Sequence, residues 1–334
     1  MIRNIVILLD DTAVSYCLYD NSKAKRNLIS LDTLKKAIKL ALLENYTVHL
    51  VYPSYQLPQQ YHDIIDSIEH YKIKYYDDYN SDADILILDF DNFQTDFVCV
   101  DDNISYVLKV NRYNLFANYE KIKDLINKSN RLNIIITDID EFRDDDFIEY
   151  QKILSNLTSY LVSLYKQDKK PSLNILTDRI HLKKMNNCNA GTESITLAPN
   201  GNFYICPAFY YSENKSSVIK QHADYCSCGY DVGNIDEGIK IINSNLYKLS
   251  HAPICRNCDA YHCRRCIWLN RLQTLEVNTP SHEQCVISHI ERNASMLLLN
   301  NLKKNNVLSE CEDIPIIDYL DPFYKTDKNE FYNV

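Results

Sequence analysis

Seven cysteines in the second half of this 334-residue chain have the types and spacing to bind metal: Cys188, Cys206, Cys255, Cys258, Cys263, Cys266 and Cys285. Twelve residues separate Cys188 from Gly201, and four more lead to Cys206. Two residues then separate Cys255 from Cys258, four lead to Cys263, two to Cys266 and eighteen to Cys285. A CxxC pair brings two thiolates to one metal or one cluster face, and distant cysteines close the coordination through tertiary folding. The order therefore reads as an iron-sulfur scaffold. Zinc is the competing occupant, because Cys255, Cys258, Cys263 and Cys266 would make an ordinary four-cysteine knuckle. Either metal would couple binding to folding.

Other chemistry-bearing residues have bland alternatives beside the functional ones. Cys17 is a redox-active thiol or a tolerated one, and Cys99 and Cys311 read as a core thiol and a tail thiol. Arg264 and Arg265 stand beside the cysteine loop, where they offset an anionic cluster or simply form a solvated face. His289 lies one helical turn after Cys285, within reach of cluster sulfur; a lone histidine at that spacing is more often packed, and His262 and His282 are read with the same caution. The acidic run Asp138, Asp140, Glu141 and Asp144 to Asp146 follows a strand, so it either faces a cavity or caps helices.

All five glycines lie at Gly191 or beyond, which excludes a Walker loop or a GxGxxG element from the first 190 residues. A formal charge of −9 argues against a nucleic-acid partner, and the 26 tyrosines form no basic-aromatic stripe. No apolar run reaches the roughly 20 residues that span a bilayer. The opening MIRNIVILLDDT ends in two aspartates and does not read as a signal peptide. A cytoplasmic protein with no membrane partner is the expectation, and in a reducing cytosol twelve cysteines read as ligands rather than disulfides.

The elements that must position these groups follow from periodicity. Strands are expected at Ile2 to Leu9, Thr47 to Tyr52, Ile73 to Tyr76, Ala83 to Phe90, Ser105 to Val110, Leu132 to Ile139 and Ser172 to Thr177. Helices are expected at Leu31 to Asn45, with Leu31, Leu34, Ile38 and Leu42 on one face, at Asn114 to Lys128 and at Asp145 to Lys166. This alternation predicts an α/β fold around a mostly parallel sheet, as a partial barrel of six or seven units, with a flavodoxin-like doubly wound sheet as the alternative. Strand formers on both sides of Asn200-Gly201 predict a β-hairpin that would hold Cys206 near Cys188. A helix is expected from Cys263 to Asn278, and Ser281 with Gln284 predicts a capping box opening another to about Lys303. Cys285 would then sit at the positive end of a helix dipole. The tail from Cys311 onward is polar and proline-punctuated.

CNAGTESITLAPNGNFYICP, APICRNCDAYHCRRCIWLN and PSHEQC together resemble the SPASM domain that follows the barrel in many radical S-adenosylmethionine peptide-modifying enzymes. With ILLDDTAVSYCLYDN and LDTLKKAIKLALLENYTVHLVYPSYQLP added, nearly the whole chain looks like the CXXX repeat peptide maturase family. The resemblance implies a partial (β/α)6 radical SAM-like barrel over residues 1–183, a small cysteine-rich SPASM domain with a β-hairpin and helices over 184–304, and a tail over 305–334. It implies one or two [4Fe-4S] clusters. Cys188, Cys206 and Cys266 would hold the first, with Cys226, Cys228 or His181 as fourth ligand, and Cys255, Cys258, Cys263 and Cys285 would hold the second.

Two departures matter. The loops flanking Cys263 are each one residue shorter than is usual in the family. More consequentially, the family's CxxxCxxC after the first strand has only Cys17 here, with Asn21 and Ala24 at the other positions, and VYPSYQLP replaces the glycine-rich element after the second strand. No S-adenosylmethionine site and no catalytic residue are therefore assigned. The implied function is maturation of a cysteine-rich precursor peptide by binding it and relaying electrons, in concert with an active radical SAM enzyme or another protein of the maturation system. The alternatives are an active maturase with an open-iron cluster and a noncatalytic zinc-stabilised adaptor. Asp11, Tyr16 and Asp138, at strand ends, are the candidates to face the peptide.

Overall fold

The computed structural model describes residues 2–21, 25–76, 82–91, 103–212, 230–308 and 311–314. The chain runs β1 (Asn4–Leu8), α1 (Leu31–Glu44), β2 (Thr47–Val51), α2 (Gln59–Ile65), β3 (Tyr71–Tyr75), β4 (Ile85–Asp89), β5 (Ser105–Val110), α3 (Arg112–Ala117) and α4 (Tyr119–Lys128). It continues through β6 (Arg131–Ile136), α5 (Asp144–Lys166), β7 (Ser172–Leu173), β8 (Ser194–Leu197), β9 (Asn202–Tyr204) and α6 (Pro207–Ser212). The last elements are β10 (Asp231–Asn234), β11 (Gly238–Ile239), α7 (Ile267–Thr274) and α8 (His282–Lys304). Two compact units result: Met1–Asn111 with Asp124–Thr137 and Asn189–Lys248, and Arg112–Lys123 with Asp138–Cys188 and Leu249–Val334.

In the first unit the sheet order is β11-β10-β9-β8-β1-β2-β3-β4-β5-β6. Strands β8 and β1 to β6 are parallel, and β9 to β11 add antiparallel. The order from β1 to β6 is sequential, without the reversal that defines a doubly wound sheet, so the flavodoxin-like alternative falls. Register puts Ile5, Ile7, Leu50, Leu86, Leu108 and Ile134 on one face, and all are fully buried or nearly so. Each such side chain contributes roughly 1.5–3 kcal/mol of burial. Alternate positions Asn4, His49, Asp89, Lys109, Arg131 and Asn133 share the opposite face and are only half-buried.

Helix α1 starts where Ser30 Oγ accepts from Thr33 N (3.0 Å) and ends at Asn45 in the left-handed region. Its buried face is Leu34, Ala37, Ile38 and Ala41, while the expected core residue Leu42 is 66 % exposed. Small alanines let the helix approach its neighbours, which rotates the apolar stripe away from Leu42. The single helix expected over Asn114 to Lys128 is divided at Asn118, whose side chain bonds back to Asn114 O (3.3 Å). The strand expected to reach Ile139 stops at Ile136, and Ile139–Glu141 is a 3₁₀ turn.

In the second unit α5 buries Phe147, Tyr150, Ile153, Leu154, Leu157 and Leu161 at helical spacing and packs against α8. Tyr150 OH donates to Glu291 Oε1 (2.8 Å). The strand expected over Ser172 to Thr177 ends after Leu173, because Thr177 Oγ1 accepts Leu173 N (2.6 Å) and turns the chain into the 3₁₀ segment Thr177–His181. The hairpin at Asn200-Gly201 forms as expected, with Gly201 at φ 83°. The cap of α8 does too: Ser281 Oγ accepts from Gln284 N (3.3 Å). The helix expected from Cys263 is shorter, since α7 starts after Cys266 and stops at Leu275; Arg265 and Leu275, at φ 43° and 62°, cannot continue a right-handed helix. Among the described residues no helix is long and apolar enough to cross a membrane.

Candidate metal centre

One pocket in the second unit is lined by Cys255, Cys258, Cys263 and Cys285, with Arg265 and His289 among its other walls. Cys255 opens a single 3₁₀ turn, and Cys258 N closes it on Cys255 O (3.2 Å). Cys258 and Cys263 flank a tight turn in which Cys263 N donates to Ala260 O (2.8 Å). Cys285 enters from the first turn of α8. Cysteines spread from position 255 to position 285 are thus brought together where a helix N-terminus meets a loop.

Donors point at the sulfurs. Ala260 N lies 3.3 Å from Cys258 Sγ, Arg265 N lies 3.4 Å from Cys263 Sγ, and His289 Nε2 lies 3.4 Å from Cys258 Sγ. Such bonds favour thiolate and help set the potential of a cluster. With its amide oxygen turned to the backbone, Gln284 accepts from Cys266 N (3.1 Å) and Arg265 N (3.3 Å), which ties α8 to the cysteine loop. Asp259, next to Cys258, is buried and receives Arg292 Nε (2.6 Å) and Nη2, while Arg179 Nη1 donates to Asp259 O (2.7 Å). This clamp holds the loop from behind, and none of its members was singled out from the sequence; a buried acid inside a CxxC-rich loop was the available signal. Burial lowers the Arg179 pKa to about 10 and pushes the Cys258 thiol up to about 11. Ligation at neutral pH would therefore displace a proton from Cys258.

Four cysteines are a donor set that suits an iron-sulfur cluster or a zinc ion. The fourth cysteine of the pocket is Cys285, and Cys266 is the residue just ahead of α7. Among the described residues no group of three or more His, Cys, Asp or Glu side chains is disposed to hold a single metal ion. No disulfide joins the nine described cysteines.

Of the other proposed set, Cys188 is exposed and Cys206 and Cys266 are partly buried. Cys206 lies just ahead of α6, its carbonyl accepting Phe209 N (3.2 Å). Cys226, Cys228 and Cys99 lie outside the described residues. His181 is exposed at the end of its 3₁₀ turn, and His262 Nε2 pairs with Asp178 (3.4 Å).

In the first unit the loop after β1 is tied down by its own residues. Fully buried Asp10 accepts Thr12 N (2.8 Å), Thr12 Oγ1 (2.5 Å), Asn27 N (3.0 Å) and Tyr55 OH (2.9 Å). Tyr55 belongs to the loop after β2, carries the Arg26 guanidinium 4.0 Å above its ring, and is pushed up to about 12 by burial and the Asp10 bond. Asn21, at a position where the family pattern has cysteine, donates to Asp11 O and Ala13 O (both 2.8 Å). Asp11 accepts from Tyr210 OH, and Tyr211 stacks on Tyr19 with 5.3 Å between centroids. Lys109, at the end of β5, donates to Ser15 Oγ and Asp20 Oδ1 (both 3.1 Å). Among the expected substrate-facing residues, Asp11 and Tyr16 are partly buried in this network, Tyr16 edge-on to Tyr19. Asp138 is in the second unit, engaged by Arg112 N and Nη1 (both 2.8 Å). These loops present neither three thiols nor a glycine cradle, so their residues do not fit a radical cluster with S-adenosylmethionine.

The sequential parallel sheet with its flanking helices is an α/β fold that solved structures of low sequence identity share. In particular it is similar to the solved structure of histidine-tagged anSMEcpe with bound AdoMet, at 13 % identity over 92 % of this chain and 97 % of that one, with a TM-score of 0.61. Native anSMEcpe with bound AdoMet and Cp18Cys peptide is similar at 14 % identity, covering 91 % and 100 %, with a TM-score of 0.60. No protein-family model matches the chain, and no curated protein matches it by sequence.

Proposed function

We propose that this chain is a degenerate radical SAM/SPASM protein of peptide maturation, resembling the CXXX repeat peptide maturases, that binds a cysteine-rich precursor and relays electrons through auxiliary iron-sulfur clusters. The sheet is read as a partial (β/α)6 barrel and the cysteine region as a SPASM domain. The observation that carries the reading is the pocket walled by Cys255, Cys258, Cys263 and Cys285, the set that the resemblance assigns to one cluster. A [4Fe-4S] cluster there would supply one-electron chemistry. The chain's own residues would hold it, donate hydrogen bonds to its ligands from Ala260 N, Arg265 N and His289, and brace it through Asp259 and Arg292.

Support for a peptide partner comes from the similar fold of anSMEcpe, solved with a Cp18Cys peptide. Support for the degenerate half comes from Asn21, which spends its amide on two backbone carbonyls where a ligand would stand. Protein purified anaerobically should contain iron and acid-labile sulfide in near-equal amounts, and should retain a precursor peptide bearing repeated cysteines in a pull-down. Stoichiometric zinc without iron would overturn the electron-relay reading and leave the zinc-stabilised adaptor.

A further inference from the structure

Arg265 stands among the thiols of the pocket, 3 % exposed. Its backbone lies in the left-handed region at φ 43°, a conformation that glycine adopts without cost and a residue with a Cβ does not. Arginine therefore holds this position against local strain, and it carries a charge into a buried place. A buried guanidinium requires negative charge nearby. Its Nη1 donates to Asn278 Oδ1 (3.2 Å), a neutral acceptor. The thiols of Cys255, Cys258, Cys263 and Cys285 line the same pocket, and the Arg265 backbone N lies 3.4 Å from Cys263 Sγ. Those thiols are negative when they are ligands.

Cys255, Cys258, Cys263 and Cys285 form one proposed ligand set. We propose that Arg265 is the built-in cation of this ligand set, offsetting the charge of its metal-bound thiolates and thereby raising the reduction potential of the cluster they hold. The proposal rests on the iron-sulfur reading above. Its physical basis is that one added electron increases the negative charge beside a fixed guanidinium, so the reduced state gains more from the cation than the oxidised state does.

The test uses full-length protein reconstituted anaerobically, with iron and sulfide measured before any redox titration. Wild type, Arg265→Gln, Arg265→Gly and Arg265→Lys are then titrated with dithionite through mediators and followed by electron paramagnetic resonance. Arg265→Gln and Arg265→Gly should shift the one-electron equilibrium about tenfold toward the oxidised state, about 59 mV in midpoint. Arg265→Lys should keep most of the wild-type potential. Glycine relieves the backbone while removing the charge, so a shift shared by glycine and glutamine reports the charge. Iron lost from the glutamine and glycine variants but kept by lysine also supports the proposal. Unchanged potentials in iron-replete glutamine and glycine variants, a lysine variant as low as glutamine, or iron lost from all three would overturn it. Wild type without iron would instead remove the reading beneath it, and the metal analysis identifies that failure first.

Discussion

Asp259 shows how much of the metal centre depends on residues that are not cysteine. Its carboxylate is buried against Arg292, and its carbonyl takes a bond from Arg179. Removing one partner leaves the other charge buried and uncompensated, so Asp259→Ala should destabilise the protein by about 3–5 kcal/mol in urea unfolding. A loss below about 1 kcal/mol would mean that the pair does not brace the loop. Glu291 supplies a pH dependence. Burial pushes its carboxyl up to about 7, so the folded chain keeps a proton there that the unfolded chain releases nearer its usual value of 4.5. Folding then binds a proton between those values, and this group's stabilisation is present below about 4.5 and lost as pH rises through 7. Glu291→Gln should flatten that part of the stability profile, measured by denaturation at a series of pH values.

Helix α1 and the β10–β11 hairpin make separate claims at the scale of the element. The buried stripe of α1 passes through Ile38 and Ala41, leaving Leu42 exposed. Ile38→Ala should cost about 2–5 kcal/mol, and Leu42→Ser should stay within about 0.5 kcal/mol. Comparable losses from both would restore the face read from periodicity. In the hairpin Gly233 has φ 108°, and a Cβ there would stand 2.2 Å from Gly238 O. Gly233→Ala should therefore open the hairpin, seen as fast hydrogen exchange at Lys240 N, which otherwise bonds Val232 O at 2.6 Å. Protection equal to wild type would count against the pairing.

For the molecule as a whole, the loop after β1 and the cysteine-lined loop of the second unit put their side chains to different uses. The loop after β1 spends Asp10, Asp11 and Asn21 on bonds to its own backbone and to Tyr55 and Tyr210. Introducing Asn21→Cys and Ala24→Cys should not create S-adenosylmethionine cleavage, since the first substitution removes two loop-closing bonds and neither supplies a glycine cradle after β2. The measurement is 5′-deoxyadenosine formed with a strong reductant. Cleavage well above a cluster-free control would show that the loop remains adaptable to cofactor chemistry.

Much of this protein was legible in local pattern. Period-two runs placed β1, β2 and β5, Asn-Gly marked the β8–β9 turn, and Ser281 with Gln284 marked the start of α8. Spacing alone suggested a knuckle of Cys255, Cys258, Cys263 and Cys266; the grouping with Cys285 was implied by the resemblance, and Cys255, Cys258, Cys263 and Cys285 are among the residues that line one pocket. These features depend on contacts between residues close in the chain, or on residue types with few alternative uses. Tertiary structure decided the rest. Which face of α1 is buried depended on how closely Ala37 and Ala41 let it pack; where α7 begins depended on Arg265 being held left-handed among thiols. The Asp259–Arg292 pair and the Asp10–Tyr55 bond join residues 33 and 45 positions apart. No periodicity encodes such partners, because burial and charge compensation are settled only when separate elements meet.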